Sequence, residues 1–450
     1  MRAVAPTFPS TLMADVCLVR ELSAVHPVDE PGPTPLDAQG PGETGSRPQQ
    51  ARLSGVDAAR GLALTGMIAV HSFSESGPDG AASGVQVVAA GRSAALFAVL
   101  AGVAIAFMTG RRQVVGGVAG RAGAARLLTR AVLICLIGLA LGSFDTDKSP
   151  GVILVFYAVL FALAVPLVFL PSRLVLTVGV TVAVVMPVVS HAVRGHLPVP
   201  LGTDPSFVSL AEAPVTVLRE LVFTGNYPVA TWMTYVCIGL VVGRLELSSR
   251  RVALQLAAAG VGIAVLGYWA SWFLMHPVGG LARLLTLPDY SDESVTQLLT
   301  VGAGGVLPPD SWWWLAVLSP HSGTTPELAQ STGVALAVIG VMCVLAGLAG
   351  PAGRGAGVLT APLVAIGSMT LTFYSAHVLF LFSPFSEQDS VAPFLLELLA
   401  YALFAMAWRH WFRRGPLEAL VGRAAGRAGR WAAGRGATHP PGQHAPPAGR

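Results

Sequence analysis

The chain has 450 residues, 53% of them hydrophobic and 12% charged, with a formal net charge of +4. Its mean hydropathy is +0.64, and a soluble domain carries about 25% charged residues, so this composition cannot clothe a water-soluble body of this size. Four widely spaced cysteines, Cys17, Cys135, Cys237 and Cys343, form no CxxC or Cys/His cluster, so neither a disulfide framework nor a zinc site is supported.

Residues 1–51 are rich in Pro, Gly, Ser and Gln and read as a disordered tail without a signal-peptide core. Charge-free apolar runs then recur at the length a bilayer-spanning helix needs, about 20 residues. The expected fold is an all-α polytopic transmembrane bundle of about ten spans, within a domain at 52–422. The spans fall near 60–75, 92–109, 130–144, 151–170, 174–190, 228–243, 252–274, 327–349, 361–382 and 392–410. Residues 423–450 read as a basic, disordered second tail. With both termini inside, all of the 28 basic residues except Arg92, Lys148, Arg194, Arg219 and Arg283 collect in inner segments, as the positive-inside rule requires. Two long outer connections, 191–227 and 275–326, are where function is expected to concentrate.

Ionisable groups inside spans are costly and mark function. The first span carries Asp57, Arg60 and His71. Eleven helical steps between Arg60 and His71 cover roughly 16 Å and return to nearly the same face, and Asp57 is one turn from Arg60, within pairing reach. The bland alternative is an interfacial ion pair and a satisfied histidine. In the ninth span Thr370, Tyr374 and His377 form a polar stripe expected to face the bundle interior, for chemistry or for interhelical hydrogen bonding. At the start of the eighth, Thr325 as N-cap, Pro326 and Glu327 make a helix start, beside the weak nucleophile-like pair His321 and Ser322. The aromatics Tyr227, Trp232, Trp269, Trp272 and Trp312 to Trp314 fit an outer interfacial belt, or sugar stacking by one or two of them. No P-loop, GxSxG, dinucleotide fingerprint or metal-ligand pair is present.

The run Arg52…Asp57-Ala-Ala-Arg60-Gly61-Leu-Ala-Leu…His71 resembles the opening helix of YeiB-like membrane proteins, relatives of the heparan-alpha-glucosaminide N-acetyltransferase domain. The resemblance continues through Ala94–Gly102, Leu154–Pro166, Thr224-Gly225-Asn226-Tyr227-Pro228…Trp232…Gly243-Arg244, Gly367–His377 and Arg414-Gly415-Pro416-Leu417-Glu418. It covers about 52–422. The Arg60-x10-His71 spacing is also similar to that of membrane acyltransferases that modify surface sugars.

The resemblance implies acyl transfer from cytoplasmic acetyl-CoA, a donor substrate rather than a bound cofactor, to a hydroxyl or amine of a glycan or envelope acceptor at the outer face. Animal members carry their catalytic histidine just after the first helix. Ser72–Val88 contains none, and many relatives have Asn where this chain has His71, so His71 is the local candidate, with Asp57, Arg60, His377 and His321 as further catalytic candidates. Arg60, Arg111, Arg112, Arg126 and Arg130 are the expected ligands of the coenzyme A phosphates, although topology alone also accounts for arginines there. Tyr227, Trp232, Ser322 and Tyr374 are the expected acceptor contacts. Lipid is the expected surrounding, a bacterial plasma membrane the expected location, and nucleic acid is not an expected partner; a homodimer is left open. A transporter without covalent chemistry is the alternative, marked by paired broken helices in two halves.

Overall fold

The computed structural model describes residues 47–77, 81–111, 113–114, 116–144, 151–197, 200–302, 304, 306–348, 354–412 and 414–434. Their apolar runs form helices because a helix satisfies its own backbone donors and acceptors, the requirement that lipid imposes. In chain order these are α1 (Arg47–Ser72), α2 (Gly84–Ala89), α3 (Arg92–Met108), α4 (Val118–Leu141), α5 (Leu154–Leu167), α6 (Ser172–Arg194), α7 (Phe207–Glu212), α8 (Pro214–Arg219) and α9 (Val229–Gly243). Then follow α10 (Arg250–Met275), α11 (Gly280–Leu284), α12 (Asp292–Thr300), α13 (Thr325–Leu348), α14 (Arg354–Gly367), α15 (Thr370–Leu381), α16 (Val391–Trp411) and α17 (Pro416–Gly434). Among the described residues the only extended pairing is an isolated bridge between Ser76 and Ala82. The molecule is an all-α polytopic bundle.

Each of the ten expected spans coincides with helix. Six segments, Gly84–Met108, Val118–Leu141, Ser172–Arg194, Arg250–Met275, Thr325–Leu348 and Val391–Trp411, are long and apolar enough to cross a membrane. The ninth expected span is broken: Thr360–Gly367 and Thr370–Leu381 meet at 86°. The helices α5 and α9, with 14 and 15 residues, are short.

The core is built from α1, α3, α5, α9 and α13, which bury Leu64, Ile68, Leu100, Leu160, Tyr235 and Ile339. The periphery is α6, α10 and α16, which turn Val184, Val188, Val261, Leu266, Leu396 and Leu403 outward. Glycines set the closest crossings. A methyl group at Gly61 would overlap the carbonyl of Leu363, and one at Gly367 that of Asp57, locking α1 against α14. Gly239 meets the Val99 carbonyl in the same way where α3 crosses α9. Small residues at crossings allow the close backbone approach that membrane helices rely on. The connection 275–326 has a second, smaller core of Leu284, Val295, Leu307, Trp314 and Val317.

Four expectations change. The helix α1 begins at Arg47, thirteen residues before the expected span and inside the expected tail 1–51, because Gln49, Gln50, Ala51 and Arg52 favour helix and Pro48 suits its first turn. At the other end, α17 continues past 423, where disorder was expected, to Gly434. Val421, Ala425 and Gly429, spaced by four, form a face buried against α4. Residues 1–46 and 435–450 of the two expected tails lie outside the described residues. The α13 cap is Thr324, whose hydroxyl accepts the Glu327 N–H at 3.2 Å, whereas Thr325 donates to the Ala183 carbonyl at 2.9 Å. Of the expected belt, Trp269, Trp272 and Trp312 are exposed, but Tyr227, Trp232 and Trp314 are buried.

Candidate active site

The polar stripe of α1 runs between two cavities. At its C-terminal end, Val70, His71 and Ser72 line a cavity of about 660 Å³. Gln86, Asn226, Tyr227, Gly302, His321, Glu387 and Phe394 also line it. Toward its N-terminal end, Arg60 lines a smaller cavity of about 190 Å³ with Arg130, Phe97, Tyr157, Phe161, Thr370, Tyr374 and Glu418. Between them lies a void of about 20 Å³ bounded by His71, Tyr227, His321, Tyr374, Met67, Ser93 and Ile153. It shares His71, Tyr227 and His321 with the large cavity and Tyr374 with the small one.

The broken span gives α15 its place in this arrangement. The start of α15 has no side-chain cap of its own. Glu418 of α17 supplies one from outside, accepting the Leu371 N–H at 2.7 Å, the Thr372 N–H at 3.2 Å and the Thr372 hydroxyl at 2.6 Å. A carboxylate is favourable at a helix N-terminus, where backbone donors are unpaired. Thr370, Tyr374 and His377 then point into the bundle. Tyr374 accepts the Ile153 N–H at 3.0 Å, ahead of α5. The N–H groups of Gly151 and Val152 go to Asp204, at 3.2 and 2.6 Å. Tyr374 and Asp204 together take the N–H groups of Gly151, Val152 and Ile153, the segment that leads into α5; Gly151 lines the large cavity and Ile153 the void.

His71 and His377 come together. His71 Nδ1 is 3.1 Å from His377 Nε2, with the rings parallel to within 4°. Nδ1 of His377, which is fully buried, lies 2.8 Å from Oε1 of Glu397 on α16, and the Tyr401 hydroxyl donates to that same oxygen at 2.6 Å. Arg60 donates to Asp57 at 3.0 Å, a half-buried pair. Asp57 lines none of these three cavities and pairs with Arg60.

His321 joins the site from the segment before α13. Its backbone is left-handed, with φ of 58°, and its ring stacks on Trp232 at 6.0 Å and meets Tyr227 edge-on at 5.3 Å. Burial pushes the His321 imidazole down from 6.5 to about 4. Ser322 turns away: it faces a separate void of about 10 Å³ with Arg194 and Thr231, and its hydroxyl is 3.4 Å from that of Thr324. The neighbours His321 and Ser322 therefore do not act as a pair. Trp232, 2% exposed, backs Tyr227 and His321 from behind and offers no surface to a ligand.

The five candidate arginines divide. Arg60 and Arg130 share the smaller cavity. Arg111 lies over the Phe107 ring at 4.5 Å, and Arg126 packs against Gly429 of α17; neither reaches the cavity. Arg112 lies outside the described residues. Among the described residues no three His, Cys, Asp or Glu side chains gather as a metal site.

Sequence reasoning missed Glu397, Tyr401 and the role of Glu418. Glu397 had a signal: it is an acid amid Phe394-Leu395-Leu396 and Leu398-Leu399, and an ionisable residue inside an apolar span marks function by default. It also passed over Glu327 as a mere cap residue. That carboxylate is buried and accepts from Tyr235 at 3.2 Å and Ser331 at 2.8 Å.

No curated protein matches the chain. A family model described as heparan-alpha-glucosaminide N-acetyltransferase, catalytic, matches residues 52–276, half of the chain, from α1 through α10. That stretch holds Asp57, Arg60, His71, Arg130, Tyr157 and Tyr227, and together with the apolar helices it indicates a membrane protein of an acetyltransferase family. The chain belongs to the heparan-alpha-glucosaminide N-acetyltransferase catalytic family.

Proposed function

We propose that this protein transfers an acetyl group from an acyl-CoA at the smaller cavity to a hydroxyl or amine held in the larger one, with His71 as the base. The observation that carries this reading is the placement of His71 on both the 660 Å³ cavity and the small void that leads toward Arg60 and Arg130. A neutral imidazole takes a proton near neutral pH. Two guanidiniums at a narrow, aromatic-walled recess suit a phosphate-bearing thioester whose acyl end reaches inward. The larger cavity, with the polar side chains of Gln86, Asn226, Tyr227, His321, Glu387 and Gln388 on its wall, suits a polyhydroxylated acceptor. By the arginine distribution the smaller cavity opens to the cytoplasm, with both termini on that side, and the larger to the outer face. A bacterial plasma membrane is the setting that fits this chemistry.

Mechanistically, His71 removes the proton of the acceptor hydroxyl or amine as its oxygen or nitrogen attacks the thioester carbonyl. The carbon–sulfur bond breaks as the new carbon–oxygen or carbon–nitrogen bond forms, and the proton returns to the departing thiolate. Tyr374 stands between the two cavities and must turn aside for the acyl end to reach His71.

A transporter would be marked by broken helices in matching halves; the described residues contain one bent pair, α14 and α15. Purified protein in liposomes, with labelled acetyl-CoA inside and glycans outside, tests the reading. Label on the glycan supports it; movement of unmodified solute without label transfer overturns it.

A further inference from the structure

We propose that Glu397 is a positioning residue: it fixes the tautomer of His377, and through His377 that of His71, so that Nε2 of His71 offers its lone pair to the large cavity. This rests on the reading of His71 as the base and adds to it a residue from α16, beyond the part of the chain that the family model covers.

The placement of Glu397 is the first argument. Its neighbours Leu395, Leu396 and Leu399 are more than half exposed on the outer face of α16, while Glu397 is 7% exposed and turned inward. A carboxylate within an apolar span is retained only where partners compensate its desolvation. Here the partners are Tyr401, one turn further along the same helix, and His377, 20 residues away in sequence.

Hydrogen-bond polarity is the second argument. An ionised carboxylate only accepts. The Tyr401 hydroxyl and His377 Nδ1 therefore both donate to Oε1. A neutral His377 with its proton on Nδ1 has an unprotonated Nε2, which accepts. His71 Nδ1, 3.1 Å away, must then carry the proton. The one ring atom of His71 left for the cavity is an unprotonated Nε2, the form a base needs. In a histidine relay the distal hydrogen bond sets which nitrogen is protonated.

The same chain disperses the charge of the reaction. When His71 Nε2 takes the acceptor proton, its Nδ1 proton has the His377 Nε2 lone pair to move to. The His377 Nδ1 proton has Oε1 of the Glu397 carboxylate to move to, 2.8 Å away. The negative charge of Glu397 offsets the positive charge that would otherwise sit on two imidazoles, and the shifts reverse when the thiolate is protonated. The other titratable groups about His71 are Tyr374 on α15, Tyr227 ahead of α9, His321 ahead of α13, and Glu75 and Glu387 on the cavity wall.

Glu397→Gln keeps the shape and removes the charge. It is expected to lower kcat by about 10²-fold or more, the scale of base catalysis, with the KM for acetyl-CoA unchanged. The acidic limb of the pH–rate profile should move to lower pH, because a nearby negative charge favours the protonated imidazole. Glu397→Asp should recover part of the rate. Wild-type kcat and pH profile in active Glu397→Gln protein overturn the proposal. Independently of turnover, nitrogen NMR of histidine-labelled wild-type protein in nanodiscs should show Nδ1-protonated His71 and His377. Nε2-protonated His377 overturns the proposal whether or not the variant folds. An inactive wild type with both histidines in the expected form sinks the transferase reading and leaves the tautomer assignment standing.

Discussion

The two ends of the α1 stripe differ in what they do with a polar group. At the Arg60 end the guanidinium pairs with Asp57 on its own helix and borders a narrow recess walled by Phe97, Leu100, Tyr157 and Phe161. At the His71 end the imidazole takes its partner from α15, 306 residues away in sequence, and borders a cavity more than three times as large. The Arg60 charge is met by a partner one turn away on its own helix. The His71 imidazole takes a partner fixed by tertiary packing, and such a partner sets a protonation state. The difference suggests binding at one end and proton transfer at the other.

The largest expected effect breaks this contrast at the His71 end. His71→Ala should abolish acetyl transfer, by at least about 10²-fold, while the protein still folds and still binds acetyl-CoA in an equilibrium assay. Wild-type turnover in that variant removes His71 from the mechanism. The double change Arg60→Ala with Arg130→Ala tests the other end. Losing charge-assisted contacts worth about 1.5–3 kcal/mol each should raise the KM for acetyl-CoA by about 10-fold or more, with a smaller change in kcat. A kcat loss at unchanged KM would move the donor site elsewhere.

A smaller effect concerns the element that joins the two ends. Glu418→Ala leaves the Leu371 and Thr372 N–H groups without their acceptor and should cost about 1 kcal/mol or more, read as a lower thermal midpoint in detergent. Glu418→Gln, which keeps an acceptor, should recover part of it. A pH-dependent effect, absent at neutral pH, belongs to His321. Burial holds its folded value near 4, below the ordinary 6.5, so the unfolded chain takes up its proton first on acidification. Its contribution to stability is full above pH 6.5 and is lost as the pH falls toward 4. The thermal midpoint should drop through that window, and His321→Asn should drop less. An equal drop in both would assign the acid sensitivity to another group.

Much of the bundle was legible in the sequence because its causes are local. Apolar runs of bilayer length specify helices wherever they pack, and the 3.6-residue repeat places Asp57, Arg60 and His71 on one face, and Thr370, Tyr374 and His377 on another. The α17 helix was missed because its Gly- and Arg-rich composition reads as disorder, and only the face of Val421, Ala425 and Gly429 against α4 supplies a reason to fold. The break before α15 was missed because residues 361–382 carry no Asp, Glu, Lys or Arg and read as one span; the cap that allows the turn comes from Glu418, beyond the span.

The sequence by itself determined which segments become apolar rods and which side of each rod is polar, because propensity and periodicity act within a few residues. Tertiary structure alone decided that His71 meets His377, that Glu397 turns inward to hold it, and that Ser322 leaves His321. Those outcomes depend on which rods touch and at what height, set by backbone crossings such as those at Gly61 and Gly367. No spacing along the chain carries that information.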